Sequence, residues 1–495
     1  MTPRFRRTFA LLAATLLVGV ALPITVHAVD DADPPRPDVV VVMLDDTNPH
    51  DGRLWAPAIM PNLHRLVVSQ GIEFTDFHSE IPLCCPARVN ILTGQHGHNS
   101  GQLSNNGASW DPSVSVATEL REVGYTTIYT GKYLNGYPRF SPAQLDPPGW
   151  DRFDVFNTVQ GKYFWYMIRD RQGDLTRHRA APDDYSTDVI ADITVERLRQ
   201  APREDPLFAL ISVYAPHAPT LPAPRHEGDP RCADVPPWAP PDYDEADVSD
   251  KPEYVQTLPL RCDGGDDLTA TCESLLSVDD LIGRVGEELE RQGRLEDTVL
   301  VFLADNGMDW GEHRRAGKSS PYSTRIPMFV AWPAGRGTEP RQDATLLSNI
   351  DIAPTACALA GCEMGPYPNG QERADGLSFA ALLSDGPYPF ARDEIYVAMP
   401  TGGDRPVFHG LRTSDGNPLG RWAYSEYRTG ERELYDISGG PCHAWEASMA
   451  GDPCQLQNRL AGDVDAETEA LAGDLAEDLA RLRVEVGADE TRLAP

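Results

Sequence analysis

The sequence predicts an α/β fold: a mostly parallel sheet flanked by helices, followed by a smaller C-terminal α+β unit with an antiparallel sheet. Three observations carry this. Short runs rich in Val, Ile, Leu and Phe alternate with segments of helical period through most of the chain, the pattern that packs helices on both faces of a sheet. Several of those apolar runs end on polar clusters, at the strand ends where ligands gather in such sheets. After about residue 385 the texture changes to short strands such as "EIYVAM" and "RWAYSEYRT", which suit an antiparallel sheet.

Taken in order, residues 1–28 read as a cleavable export signal. Arg4, Arg6 and Arg7 precede an apolar stretch, and Val26-His27-Ala28 offers a small-residue cleavage site. That stretch is shorter than the roughly 20 residues of a membrane span, and no later segment approaches such a length. The protein is therefore expected to be secreted, with no membrane span after cleavage. A main domain is expected over 29–385 and a C-terminal subdomain over 386–495.

"PDVVVVMLDDTNPHD" opens the main domain as a strand buried on both faces, ending at Asp45 and Asp46. "PNLHRLVVSQG" is a short helix stopped by glycine. In "PLCCPARVNILTG" a helix begins near Pro86, with Cys84 at its mouth and Arg88 one turn in. "SVATELREVGY" is a helix and "TTIYTGKYLNGY" a strand with Lys132 just beyond it. The helix "STDVIADITVERLRQ" precedes the strand "PLFALISVYAPHAPT", which carries His217. After the helix "LLSVDDLIGRVGEELERQG", the strand "DTVLVFLADNG" ends at Asp305 and Asn306, and "SNIDIAPTACALAG" is again helical. Residues from about 220 to 272, rich in Pro and Asp and without periodicity, are expected to form a binding loop or lid. The C-terminal strands end in the helix "AETEALAGDLAEDLARLRVEV".

The net charge of −32 excludes nucleic acid and other polyanions as ready partners. An anionic substrate has to be drawn in by a local positive pocket. Nine cysteines in an exported chain suggest disulfides. Cys357 with Cys362, and Cys442 with Cys454, could close small loops, while Cys232, Cys262 and Cys272 leave one over.

Asp45, Asp46, Asp305 and Asn306 are all oxygen donors at strand ends. If the strands are neighbours, packed carboxylates repel unless a cation holds them, and an all-oxygen set suits Ca²⁺ or Mg²⁺. Capping of turns is the alternative. For Cys84 there are likewise two readings. A helix N-terminus can activate a thiol and stabilise an anion beside it, with Arg88 forking onto an oxyanion; or Cys84 and Cys85 are a buried structural pair.

The details of the motif favour a third reading. "L-C-C-P-A-R-x-x-I-L-T-G" resembles the signature of the formylglycine-dependent type I sulfatases, within the alkaline-phosphatase-like superfamily. Serine is commonest at the position of Ala87, and the C-x-P-x-R core is intact. "VVVMLDDTNPHD", "GYTTIYTGKYLNGY", "LISVYAPHAPT", "ADNGMDWGEH" with "GKSSPYSTRIPMFV", and "ELYDISGGP" resemble the family's other segments in order. The combination of CCP-R, GKYLN and LLSVDDL is similar to the N-acetylglucosamine-6-sulfatase-like branch.

The resemblance implies an alkaline-phosphatase-like sheet and hydrolysis of a sulfate monoester, of a carbohydrate or an aryl group. It implies that a formylglycine-generating enzyme oxidises Cys84 to Cα-formylglycine (3-oxoalanine). It also implies one bound Ca²⁺, in preference to Mg²⁺, held by Asp45, Asp46, Asp305, Asn306 and the modified Cys84. Arg88 would stabilise the aldehyde hydrate, Lys132 and Lys318 would grip sulfate, and His217 would protonate the leaving oxygen or hold sulfate. Asn135 and His313 are further substrate-binding candidates. Many sulfatases have a histidine where this chain has Leu134; His313 or His98 could take its part. Competing readings are a phosphodiesterase or phosphonate monoester hydrolase of the same superfamily, and a non-catalytic binding relative. The heavy negative charge favours a small or terminal sulfated sugar or an aryl sulfate over a sulfated polymer.

Overall fold

The computed structural model describes residues 36–488, apart from 108, 138, 140–144, 158–161, 336–339, 384–391, 403–405, 441 and 443–448. The expected export signal and the expected junction near residue 385 lie outside the described residues. At the centre is β1 (Asp38–Leu44), all seven residues of which are buried. Its valine run can sit there because sheet and helices cover both faces. With β2 (Thr126–Gly131), β3 (Leu207–Ser212) and β4 (Thr298–Ala304) it forms the parallel heart of a ten-stranded sheet in the order β4, β1, β3, β2. Arg152–Phe156 extends this parallel block beside β2, and Met328–Ala331 joins antiparallel beside β4. Met167–Arg169 and Leu175–Arg177 add an antiparallel edge that the sequence did not suggest.

Register decides what meets at the carboxyl edge. Leu44 pairs with Ala304, so Asp45 and Asp305 leave the sheet side by side. Ser212 pairs with both Met43 and Gly131, which brings Lys132 to the same edge. A one-residue slip would turn alternate side chains to the wrong face.

Three helices matter most for the site: α1 (Cys84–Thr93), α2 (Ser186–Gln200) and α3 (Thr269–Arg291). In α3 the residues Leu275, Val278, Leu281, Ile282, Val285 and Leu289 recur three or four apart and are all buried, a stripe of helical period facing the core. Each such side chain contributes about 1.5–3 kcal/mol by burial.

The C-terminal strands Glu394–Met399, Phe408–Thr413, Trp422–Tyr427 and Arg432–Asp436 form a separate antiparallel sheet. The helix Ala466–Glu485 covers it, packing Leu475, Leu479 and Leu482 with Tyr396, Leu411 and Tyr424. Arg421 ties this sheet to the main body through Asp76 at 2.9 Å.

Residues 220–272 contain two four-residue helices, Pro230–Ala233 and Glu253–Gln256. The disulfide Cys232–Cys272 fastens the first of them to the start of α3. Cys442 and Cys454 form the second disulfide, and Cys262 is the odd one, an exposed thiol. Cys357 and Cys362 remain thiols, contrary to the loop closure their spacing allows. Cys357 lies inside the helix Ile352–Ala360 with its sulfur 3.5 Å from Met364 Sδ.

Candidate active site

The site is assembled from strand ends and the first turn of α1. β1 hands over to Asp45 and then to Asp46, whose φ of +59° lies in the left-handed region. Asp tolerates that conformation better than most residues, and it lets two successive carboxylates stay at the sheet edge. The Asp46 N–H donates to Asp305 Oδ1 at 3.1 Å, as does the Asn306 N–H at 2.7 Å. Asn306 Nδ2 donates to Asp46 Oδ1 at 2.8 Å.

Lys132 arrives through a glycine. Gly131 has φ +103°, and a Cβ there would lie 1.8 Å from the Ser212 carbonyl oxygen, so another residue would push β2 and β3 apart. Lys132 then bonds Asp45 Oδ2. Gly94, at φ +69°, ends α1 as a left-handed C-cap, and all ten residues of that helix are buried. Arg88 is 1% exposed. Its Nε donates to Asp305 Oδ2 at 2.8 Å, and its Nη1 donates to Lys132 O at 2.8 Å and Ser212 Oγ at 2.6 Å.

Cys84 is the first residue of α1 and lies at the centre of these groups. Its sulfur is 3.7 Å from Asp45 Oδ1 and from Asp46 Oδ1, and Lys318 Nζ is 3.0 Å away. Lys318 also bonds both Asp46 oxygens, at 2.5 and 2.7 Å. Burial pushes the Cys84 thiol up to about 11, although Lys132 and Lys318 pull the other way. For the unmodified residue this favours the buried-thiol reading over the activated one, because desolvation outweighs the nearby cations. The unmodified thiol stays protonated at neutral pH and is a poor nucleophile. Cys85 is structural: its N–H donates to Asn105 Oδ1 at 3.0 Å and its sulfur accepts from Asn135 N at 3.1 Å.

The carboxylates respond to their surroundings differently. Burial opposes ionisation of Asp45 and Asp46, yet Lys132 beside the first and Lys318 beside the second hold both below the usual range. Burial and the charge of Asp45 push Asp305 up to about 6, against the pull of Arg88.

A divalent cation fits this donor set. Ligand atoms of Asp45, Asp46, Cys84 and His217 all lie within 4.8 Å of one another. Asp305 and Asn306 are bonded to Asp46, and the Asn306 Oδ1 is a buried acceptor without a hydrogen-bond partner. A buried oxygen left unpaired is costly, and oxygen-rich ligation is what Ca²⁺ and Mg²⁺ take.

His217 Nε2 lies 3.3 Å from Asp46 Oδ2. Burial lowers its pKa, although Asp45 and Asp46 act to raise it. Beside the ring is Lys162, which the sequence motifs do not mark, with Nζ 2.7 Å from His217 Nδ1 and 3.3 Å from Nε2. Only the tertiary contact reveals Lys162; it lies in a stretch with no motif or period.

A cleft of about 840 Å³ opens beside Lys132, Lys162 and His217. Its walls include Leu134, Asn135, Phe156, Phe164, Trp165 and Tyr214. The structure thus brings together Asp45, Asp46, Cys84, Arg88, Lys132, His217, Asp305, Asn306 and Lys318, with Asn135 at the cleft wall. The contacts of His313 lie elsewhere: Nδ1 is 2.6 Å from Glu245 Oε2, and its ring packs on Tyr322. His98 lies beside Tyr396 and His409.

The family profile described as Sulfatase matches residues 37–362. The chain belongs to the sulfatase family. This sulfatase is 31% identical to an arylsulfatase of Volvox carteri over 88% of its own length and 74% of the relative's. It is 28% identical to the N-acetylglucosamine-6-sulfatase of Capra hircus, over 73% of its length and 66% of the relative's. A protein solved in complex with its substrate D-glucosamine-2-N,6-O-disulfate shares the fold, with a TM-score of 0.71 at 20% identity over 92% of this chain and 99% of that one. The sulfatase is a sulfuric ester hydrolase with an alkaline-phosphatase-like fold. Membership implies a metal and a formylglycine, and the cluster around Cys84 is where both would sit. Among the described residues no helix is long and apolar enough to cross a membrane.

Proposed function

We propose that this sulfatase works through Cys84 as formylglycine, beside a Ca²⁺ held by Asp45, Asp46, Asp305 and Asn306. The observation that carries the reading is the position of Cys84: on a helix N-terminus, 3.7 Å from two carboxylates and 3.0 Å from Lys318. When present, the metal neutralises sulfate charge, and the hydrated aldehyde supplies one hydroxyl to attack sulfur and a second to expel sulfate.

The chain's own residues prepare for that chemistry. Lys132 and Lys318 are preorganised cations for the ester's charged oxygens, in a site dry enough for them to act strongly. Arg88 neutralises Asp305 and, through Lys132 O, holds the start of the lysine loop. His217 faces the cleft and meets the leaving oxygen. Leu134 leaves the removal of the hydrate's proton to other groups.

The cleft carries two lysines and a wall of aromatic and aliphatic side chains, and the protein is strongly anionic. Together these favour a small or terminal sulfated sugar or an aryl sulfate. The similarity to glucosamine 6-sulfatases makes a 6-O-sulfated glucosamine the first sugar to try. We infer export, with residues 1–28 as leader, 29–385 as catalytic domain, 386–495 as C-terminal subdomain and about 220–272 as a lid-like insertion.

Peptide mass spectrometry of the tryptic fragment Leu66–Arg88, from a host with a formylglycine-generating enzyme, tests the reading. An aldehyde at Cys84, with faster turnover of an aryl sulfate than of the matched phosphate and phosphonate, is expected. Unmodified thiol in an active preparation would sink it, and a preference for the phosphorus ester would favour the phosphonate hydrolase alternative.

A further inference from the structure

We propose that Trp165 is a specificity-determining residue of this sulfatase, the platform on which the ring of an aryl sulfate stacks while its sulfate reaches Lys132. The proposal rests on the reading of the cleft beside Lys132 and His217 as the seat of the ester's organic part, and it chooses between the two ester classes that reading allows.

Of four successive aromatic residues the backbone turns one outwards. Tyr163 and Tyr166 are buried and Phe164 is half-buried, whereas Trp165 is 65% exposed. Tyr163 stacks on Tyr185 with ring centres 5.8 Å apart, and Phe164 meets the same ring edge-on at 5.7 Å. Tyr166 packs on Phe156 and on His178, 5.0 Å from each. Trp165 escapes this packing because its φ is +61°, a left-handed conformation that is strained for a bulky residue. Two backbone hydrogen bonds hold it there: the Trp165 N–H donates to Arg179 O at 2.9 Å, and the His178 N–H to Tyr166 O at 2.9 Å. Strain kept in order to expose a large apolar side chain points to a use for that side chain. Its place gives the use, since Trp165 lines the cleft of about 840 Å³.

The cleft leads from charge to apolar surface. Lys132 on its inner wall is 3% exposed and bonds Asp45. Trp165 and Leu221, the latter 45% exposed, mark its open end. Among the described residues that line it there is no carboxylate and no arginine, the side chains best able to take two neighbouring sugar hydroxyls at once. Two of its tyrosine hydroxyls are already engaged, Tyr137 donating to Leu145 O at 2.9 Å and Tyr163 to His217 O at 2.8 Å. The hydroxyls of a sugar would leave water here for few partners. A flat aromatic ring brings no such groups and gains an offset-stacked partner in the indole. Trp165 therefore selects for the ring of the ester, at a distance from the sulfate that reacts.

The test compares wild type, Trp165→Phe and Trp165→Ala, matured and metal-loaded, on 4-nitrophenyl sulfate, with inorganic sulfate and glucosamine 6-sulfate as competing ligands. In Trp165→Ala the KM of the aryl ester should rise about 5- to 20-fold, the worth of one aromatic pair with its buried area. Its kcat should change little, because the contact is made before and during the reaction alike. Trp165→Phe should stay within about 3-fold of wild type. The inhibition constants of inorganic sulfate and glucosamine 6-sulfate should stay within about 2-fold in both variants. A second readout needs no aldehyde: in metal-loaded Cys84→Ala protein, 4-nitrophenyl sulfate should quench tryptophan fluorescence, and adding Trp165→Phe should remove most of the quench. An unchanged KM in Trp165→Ala, an equal weakening of inorganic sulfate or of glucosamine 6-sulfate, or a full quench without Trp165 would overturn the proposal. If wild type carries no aldehyde, the mechanism proposed for Cys84 fails, and the titration still decides whether Trp165 meets the ring.

Discussion

Replacing Arg88 by methionine is the sharpest test of how the site is held. The guanidinium is buried, bonds Asp305 at 2.8 Å, and bridges to Lys132 O and Ser212 Oγ. Methionine fills much of the volume but strands Asp305, already pushed up to about 6 beside ionised Asp45. Removing one partner of a buried ion pair costs about 3–5 kcal/mol, so the Met variant should lose about that much in a chelator. Arg88→Lys keeps a charge but cannot serve three acceptors in a fork, and should lose about 1.5–3 kcal/mol. Urea unfolding at neutral pH measures both. Two further outcomes follow from the cause. The deficit of the Met variant should shrink in saturating Ca²⁺, because a cation beside Asp305 replaces part of the lost charge. It should also be smaller at pH 5 than at pH 8, because the wild-type Asp305 loses its charge as pH falls through about 6 and Arg88 then has no anion to hold. A loss below about 1 kcal/mol in chelator, or equal losses for Met and Lys, would refute the reasoning.

Three other predictions address the rest of the molecule. Ca²⁺ at 100 times its Kd should raise the unfolding free energy by about 2.7 kcal/mol, an effect Asp45→Asn removes; equal unfolding midpoints in Ca²⁺ and chelator would dismiss the cation site. Replacing Cys232 and Cys272 by alanine opens a link spanning 40 residues and should cost about 4 kcal/mol on the loop-entropy relation, read by urea unfolding; a neutral effect would mean that packing alone secures residues 220–272. Glu288 is held down at about 2 by hydrogen bonds from Arg291, with Gln292 and Arg199 assisting against burial. Its contribution is full above its ordinary 4.5 and is lost as pH falls through about 2. Glu288→Gln should cost about 1–3 kcal/mol near neutrality and nothing at the acid end, and a gap in urea stability that persists there would contradict this.

The parts of the site built from local signals were legible in the sequence. The valine run ending on Asp45-Asp46 and "VLVFLADN" ending on Asp305-Asn306 mark two buried strands with oxygen donors at their ends. The C-x-P-x-R spacing marks Cys84 and Arg88 on one helix. What sequence cannot express is the field at a point. Burial among residues far apart in the chain pushes the Cys84 thiol up, and the contact of Lys162 with His217 likewise joins residues distant in sequence. His313 reads as a site residue from its motif neighbours, yet its contacts are with Glu245 and Tyr322, because a turn with positive φ at His313 and Arg314 carries the side chain among the residues of the irregular insertion. Cys357 and Cys362 show the same limit, since spacing permits a bond that the helix carrying Cys357 does not make.

The pairing of Leu44 with Ala304 has a consequence for how this enzyme can be altered. The proposed metal donors Asp45 and Asp305 are placed by strand register, so their mutual distance is insulated from changes in loop length. The cleft beside them is built from loops, with Leu134–Tyr137, Lys162–Trp165 and His217–Pro224 supplying most of its wall. Chemistry and selectivity are thus encoded in separable stretches of chain. Loop grafting between sulfatases can recast which ester is accepted while the hydrolytic centre is inherited whole, whereas a single inserted residue in β1 or β4 would dismantle that centre.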